Sequence, residues 1–206
     1  MEYVFWSFIG YFSGSVLYGY WLPKLFKGID VCKVSTDGNP GTYNAIKYAG
    51  KPIGYLVALC EALKGLIPVH IAYRLLDPTN ILFSLVMLAP ALGHGFSMFA
   101  HFVGGKCLGI SYGIFLGLLP EYWQPLLFLC ILYQTLSHIF VITPHFCRSI
   151  TIYSLVALLC IAIPLDIGVK AGTALVCGLV IKKHIHSMEG LKYNVDILPG
   201  LRKAGD

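Results

Sequence analysis

Residues 52–73 read PIGYLVALCEALKGLIPVHIAY, and the placing of this stretch decides the fold. It is apolar throughout apart from Glu61, Lys64 and His70. As a helix rising about 1.5 Å per residue, it reaches across the roughly 30 Å of a hydrocarbon core. Glu61 and Lys64 stand three residues apart on one helix face, so each can neutralise the other and lower the cost of lying in lipid. Working outward, comparable apolar windows cover 3–23, 80–103, 108–120, 124–144, 149–164 and 167–182. Together they give an all-α integral membrane protein of about seven transmembrane helices. The fourth, sixth and seventh windows are short for a full crossing, so six spans plus a re-entrant segment is the alternative.

Composition leads to the same class. The 206 residues are 57% hydrophobic and 12% charged, with a mean hydropathy of +0.73, whereas a soluble domain carries about twice that charged fraction. The spans leave no room for a separate soluble domain. The expected organisation is a single polytopic membrane domain over 1–190 and a short polar cytoplasmic tail over 191–206, loosely ordered. Met1-Glu2 lacks the basic lead of a cleavable signal, and none is expected. The seven cysteines form no CxxC and no Cys/His spacing suited to a metal, so they read as buried thiols. No metal, no cofactor and no nucleic-acid partner is expected.

The basic residues set the orientation. Lys24, Lys27, Lys33, Lys47 and Lys51 follow the first span, Lys106 lies in the third loop, Arg148 in the fifth, and Lys182, Lys183, Lys192, Arg202 and Lys203 follow the last. Only Arg74 and Lys170 fall near the opposite face. The positive-inside rule then puts the amino terminus outside and the carboxyl terminus in the cytoplasm.

Several segments bring anion-binding groups to that cytoplasmic face. In Ser35-Thr36-Asp37-Gly38-Asn39-Pro40-Gly41-Thr42-Tyr43-Asn44, glycines flanking Asn-Pro allow backbone N–H groups to turn inward as a phosphate nest. A helix starting near Thr42 would add unsatisfied N–H donors and place Lys47 a turn further in. A plain Asx-Pro-Gly reverse turn is the alternative. Gly104-Gly105-Lys106 follows the third span, where Lys106 is either a phosphate clamp or an anchor that snorkels to the headgroups. His94 is an ionisable group in an apolar run, either functional or hydrogen-bonded between helices. His145, Arg148, Ser149, Thr151 and Ser154 enter the sixth span, and Lys182, Lys183, His184, His186 and Ser187 leave the seventh. No histidine has an aspartate four residues on, and no Gly-x-Ser-x-Gly elbow, Walker loop or paired-aspartate alcohol phosphotransferase motif is present. A site of donors and cations stabilises phosphate and an oxyanion without a strong base. Polar residues gather on one side and not along a path through both leaflets, which argues for interfacial chemistry over transport.

These residues resemble a known family. Ser13 through Tyr20 is similar to its Gly-Ser-Ile-Pro-Phe-Gly segment, and Gly28-Ile29-Asp30 through Asn44 to its Gly-Ile-Asp lead into Ser-Gly-Asn-Pro-Gly-Ala-Thr-Asn. Leu63-Lys64-Gly65 through Pro68 is similar to Leu-Lys-Gly-x-x-Pro, and Gly93-His94 with Phe96, then Gly104-Gly105-Lys106, to Gly-His-x-Phe and Gly-Gly-Lys-Gly. Over nearly the whole chain the sequence resembles the bacterial acyl-phosphate-dependent glycerol-3-phosphate acyltransferases, small membrane enzymes with seven spans. The resemblance implies transfer of a fatty acyl group from acyl phosphate to the 1-hydroxyl of glycerol 3-phosphate, giving lysophosphatidic acid and phosphate. It implies a multi-pass protein of the bacterial inner (plasma) membrane with its site on the cytoplasmic face, working as a monomer among membrane lipids. By position it assigns Lys106, Lys47, Ser35 and His184 to catalysis. Gly38, Asn39, Pro40, Gly41, Asn44, His94, Gly104, Gly105, Arg148, Thr151, Ser154 and Ser187 are assigned to substrate and phosphate binding. In that family a substrate phosphate is thought to take the hydroxyl proton.

Four positions depart from the pattern: Thr36-Asp37 with one extra residue, Lys47 for arginine, Cys107 for the fourth glycine and Ser187 for asparagine. Lys47 gives up bidentate geometry. Asp37 puts a negative charge beside the expected anion site, which should weaken phosphate binding unless it turns outward or reads an acceptor hydroxyl. Two alternatives therefore stay open: the same chemistry on another polar acceptor, or a non-catalytic lipid or anion binder.

Overall fold

The computed structural model describes residues 1–185 and 194–197. The fold is mostly helical. Its helices are α1 (Glu2–Ser15), α2 (Tyr18–Lys27), α3 (Val31–Val34), α4 (Thr42–Ala49), α5 (Lys51–Leu75), α6 (Phe83–Gly95), α7 (Leu108–Leu116), α8 (Gln124–Gln134), α9 (His145–Ala162) and α10 (Ile167–Ile185). Two short strands, β1 (Phe140–Thr143) and β2 (Asn194–Ile197), pair antiparallel with Phe140 opposite Ile197 and Thr143 opposite Asn194. Among the described residues, three helical stretches are long and apolar enough to cross a membrane by length and composition: Lys51–Leu75, Phe83–Ala100 and His145–Ala162.

The first apolar window, 3–23, is not one helix. α1 stops at Ser15 because side chains take its last carbonyls, the groups a helix end leaves unpaired. Lys64 Nζ donates to the Gly14 and Val16 carbonyls at 2.9 and 2.6 Å, and Ser97 Oγ donates to that of Ser15 at 2.6 Å. The chain turns at Val16 and Leu17 and resumes as α2, which the window average conceals.

The fifth window, 124–144, also divides. α8 loosens into a π turn over Thr135–Ile139 and then becomes β1. Phe140-Val141-Ile142-Thr143 is a β-branched and aromatic run suited to a strand, and its partner comes from the tail. The expectation of an all-helical chain is therefore corrected at residues 140–143 and 194–197. Both belong to one small sheet.

Small residues set the helix packing. A Cβ on Gly14 would lie 2.0 Å from the Pro90 carbonyl oxygen, and one on Gly93 2.1 Å from that of Tyr11, so α1 and α6 touch backbone to backbone. α5 and α7 meet the same way at Gly113, whose Cβ would sit 1.9 Å from the Ala62 oxygen. Lipid is as apolar as leucine, so association rests on such close packing and on interhelical hydrogen bonds. The core fills with Phe83, Val86 and Met87 of α6, Ile110 and Ile114 of α7, Ile152 and Tyr153 of α9, and Val176 and Val180 of α10. Phe5, Phe8 and Phe12 of α1 and Leu56, Leu59, Leu63 and Ile67 of α5 face outward, as a lipid-facing surface requires.

Candidate active site

A cavity of about 730 Å³ opens at one end of the bundle, where the connections before α4, α7 and α9 meet. Its wall includes Asp37, Asn39, Gly41, Asn44, Glu61, His94, Lys106, Cys107, Tyr133, His145 and Arg148.

The loop between α3 and α4 forms one side. Gly38 has φ +59°, a left-handed conformation that favours glycine. Pro40 is seated against α2: a Cβ on Gly19 would lie 2.1 Å from its carbonyl oxygen. Gly41 N–H donates to the Asn39 carbonyl at 2.8 Å, and Gly41 caps α4, which begins at Thr42 as the sequence implies. Asn44, 6% exposed, braces the loop from behind. Its Nδ2 donates to the Asn39 carbonyl at 2.9 Å and to Asp37 Oδ1 at 2.7 Å.

Lys106 closes the opposite side. Its Nζ lies 2.8 Å from Asp37 Oδ2, so the departure at position 37 is tied directly to the expected phosphate lysine. Asp37 Oδ1 also accepts from the Asn39 N–H at 3.3 Å. Burial pushes the Asp37 carboxyl up, but the hydrogen bonds from Lys106 and Asn44, the Lys106 charge and the Asn39 N–H outweigh it. They hold it below the usual carboxylate range. Arg148 lies 5.9 Å over the Tyr133 ring, and its buried Nε has no acceptor among the described residues.

The floor is a buried charge cluster. Glu61 Oε2 lies 2.8 Å from Lys64 Nζ and 2.9 Å from His94 Nδ1, and Lys64 Nζ is itself 2.9 Å from His94 Nδ1. The expected Glu61–Lys64 pair thus gains a third member. Gly104 and Gly105 pass directly over His94: a Cβ on Gly105 would fall 2.1 Å from its Nε2, and one on Gly104 2.1 Å from its carbonyl oxygen. Gly105 N–H donates to that carbonyl at 3.0 Å. Their role in the structure is to let this segment lie on the histidine and present Lys106.

Other expected site residues stand elsewhere. Lys47 is exposed on the outer side of α4, its Nζ 5.0 Å over the Tyr48 ring, and is not part of the wall. Ser35 is buried behind the loop, its Oγ without a partner among the described residues. Thr151 Oγ1 turns back to the Cys147 carbonyl at 3.0 Å, and neither Thr151 nor Ser154 reaches the wall. His184, 1% exposed, bonds through Nδ1 to the Val180 carbonyl at 2.8 Å, and its Nε2 has no partner among the described residues. Its ring is 6.4 Å from that of His145, which does line the cavity. Ser187 lies outside the described residues. Tyr133 was not anticipated, because no spacing within an apolar run marks a residue that reaches Arg148 from another helix. Cys107 holds φ +63° where the resemblance has glycine, with Sγ 3.3 Å from the Ala91 carbonyl.

A helical, membrane-embedded protein with a polar, cation-bearing cavity at one end of the bundle is the class that this arrangement defines. Residues 4–193 match the family model described as glycerol-3-phosphate acyltransferase. The chain belongs to that family. Among its relatives are glycerol-3-phosphate acyltransferase 2 of Thermotoga maritima, 43% identical over 52% of this chain and 53% of that protein, and the glycerol-3-phosphate acyltransferase of Fusobacterium nucleatum, 33% identical over 71% of this chain and 70% of that protein. The chain spans about half the length of several curated relatives it matches, 53% for each of the two from Thermotoga and 52% for one from Desulfovibrio desulfuricans. Two crystal structures of PlsY, an integral membrane glycerol 3-phosphate acyltransferase, share the fold. The glycerol 3-phosphate form superposes with a TM-score of 0.79 at 25% identity over 100% of both chains. The lysophosphatidic acid form gives 0.76 at 26% identity over 91% of this chain and 90% of that one.

Proposed function

We propose that this protein transfers a fatty acyl group from acyl phosphate to the 1-hydroxyl of glycerol 3-phosphate, releasing lysophosphatidic acid and inorganic phosphate. The observation that carries the reading is the meeting of Lys106, Arg148, Asn44, Asn39 and Gly41 around one cavity in a chain of this family. In the reaction the hydroxyl oxygen attacks the acyl carbonyl carbon. The new ester C–O bond forms, the bond from that carbon to the phosphate oxygen breaks, and its electron pair leaves with phosphate. The hydroxyl proton passes to a substrate phosphate oxygen. Lys106, Arg148 and the backbone N–H groups after Gly41 hold the phosphates and offset charge as it moves, while the cavity fixes the hydroxyl against the carbonyl. Gly38, Asn39, Pro40 and Gly41 shape the cradle, and His94 with Gly104 and Gly105 supports Lys106. The resemblance also assigns Lys47, Ser35, His184, Thr151, Ser154 and Ser187, of which Lys47, Ser35, His184, Thr151 and Ser154 stand off the cavity wall.

The same reading gives seven spans, an outside amino terminus, a cytoplasmic cavity and a monomer in a bacterial inner membrane. Support comes from the positions of Lys106 and Arg148 at the cavity end, since basic residues favour the cytoplasmic side. A different small polar acceptor is the second reading, favoured by the Asp37 carboxylate facing the cavity.

The test is purified protein in detergent with palmitoyl phosphate, with and without glycerol 3-phosphate, following phosphate release and lipid products by mass spectrometry. Glycerol 3-phosphate-dependent release with lysophosphatidic acid is the expected result. Release only with another polyol would select the second reading, and no release with any acceptor would overturn both.

A further inference from the structure

Three donors at the cavity are already satisfied by one carboxylate. Asp37 Oδ2 takes Lys106 Nζ at 2.8 Å, and Oδ1 takes Asn44 Nδ2 at 2.7 Å and the Asn39 N–H at 3.3 Å. An ammonium, a side-chain amide and a loop N–H are the set that a phosphate's oxygens would use. The partners differ in how fixed they are. Asn44 is buried within α4 and bonded to the loop backbone. Asp37 is the open member, its side chain 41% exposed against 26% for Lys106, on a loop whose next residue is the left-handed Gly38.

From this we infer that Asp37 is a built-in competing anion, which occupies the phosphate donors of the resting site, yields them to the substrate's phosphate and returns to them as inorganic phosphate leaves. The inference rests on the reading of the cavity as a phosphate site and adds the residue that sets its affinity. A phosphate monoester brings more charge and one more terminal oxygen than a carboxylate, so it wins Lys106 and Asn44 when present. With Asp37 in place a second anion would sit beside the first, so the two exchange. Such a competitor lowers apparent affinity by the fraction of time it holds the donors. For a half-exposed ion pair with two further hydrogen bonds, this is a factor of about three to ten. It also shortens the stay of product phosphate.

The experiment compares wild type, Asp37→Asn and Asp37→Ala in detergent. It measures inorganic phosphate binding by titration calorimetry and, separately, KM for glycerol 3-phosphate, kcat and inhibition by phosphate. Both variants are expected to bind inorganic phosphate about three- to tenfold more tightly than wild type, with a lower KM and stronger product inhibition. Lys106→Ala is expected to weaken that binding in the wild-type and Asp37→Asn backgrounds alike. Unchanged or weaker phosphate binding in both Asp37 variants overturns the inference; weaker binding with a raised KM makes Asp37 a direct ligand of the acceptor. Asp37→Asn is nearly isosteric and its folding is checked by thermal unfolding, so a failure of Asp37→Ala alone decides nothing against the comparison. Because calorimetry needs no turnover, tighter phosphate binding without any acyl transfer would sink the proposed reaction and leave this inference standing. Acyl transfer with unaltered phosphate binding would do the reverse.

Discussion

At the scale of single residues, the cavity contains groups whose removal has different signatures. Lys106→Ala takes away a cation facing the reacting phosphates and is expected to lower kcat/KM about 10²-fold or more, with the helical circular dichroism unchanged. Gly105→Ala acts through packing. Its new methyl would fall 2.1 Å from His94 Nε2, and overpacking of this kind costs about 1–3 kcal/mol, readable as a lower midpoint of thermal unfolding. Asp37 supplies a pH test. Its carboxyl is held below the ordinary value of about 3.9, so whatever it adds to folding is fully present above that value. It is lost only as pH falls through the depressed one. The difference in thermal midpoint between wild type and Asp37→Asn should therefore be constant from about pH 5 upward and shrink below about pH 3. A difference that faded between neutral pH and about pH 5 would contradict the contacts drawn to Lys106 and Asn44. The sequence already exposed Asp37 as an oddity beside an anion site. It did not show that both oxygens would be occupied, because the partners lie seven and 69 residues away.

At the scale of elements, the Glu61–Lys64 pair within α5 was legible from its i, i+3 spacing, whereas its reach into α1 and α6 was not. Lys64 satisfies two terminal carbonyls of α1 and touches His94 of α6, so one side chain joins three helices. Lys64→Met would leave the buried Glu61 carboxylate with His94 as its one remaining partner among the described residues, a loss of up to about 3–5 kcal/mol. The double variant Glu61→Gln/Lys64→Met is expected to recover part of that loss, and a double-mutant cycle of unfolding midpoints in detergent measures it. The hydropathy windows located α5, α6 and α9 because each is a nearly uninterrupted apolar run. They merged α1 with α2 and α8 with β1, since a window averages over a break that is made by hydrogen bonds from elsewhere in the chain.

At the scale of the whole molecule, the wide outward display of Phe5, Phe8, Phe12, Leu59 and Ile67 would aggregate a soluble protein and suits one solvated by lipid. The proposed orientation puts the cavity and the α5–α6 connection on opposite faces. Single cysteines at Thr36 and at Thr79, in a background without the native cysteines, should therefore react with a membrane-impermeant reagent from opposite sides of sealed vesicles. The loop motif and Lys106 could be read from sequence as one site because glycine, asparagine and lysine advertise their chemistry. His145 was legible only as one of the polar residues entering the sixth span, and Tyr133 was not legible at all, since only the fold brings it there. The pairing of β1 with β2 carries a consequence for synthesis. β1 runs directly into Pro144, His145 and Arg148 on the cavity wall, yet its partner begins at Asn194. At about 5–20 residues per second, the ribosome makes β2 several seconds after β1, so the strand pairing that borders this wall forms only after every helix of the bundle has been translated.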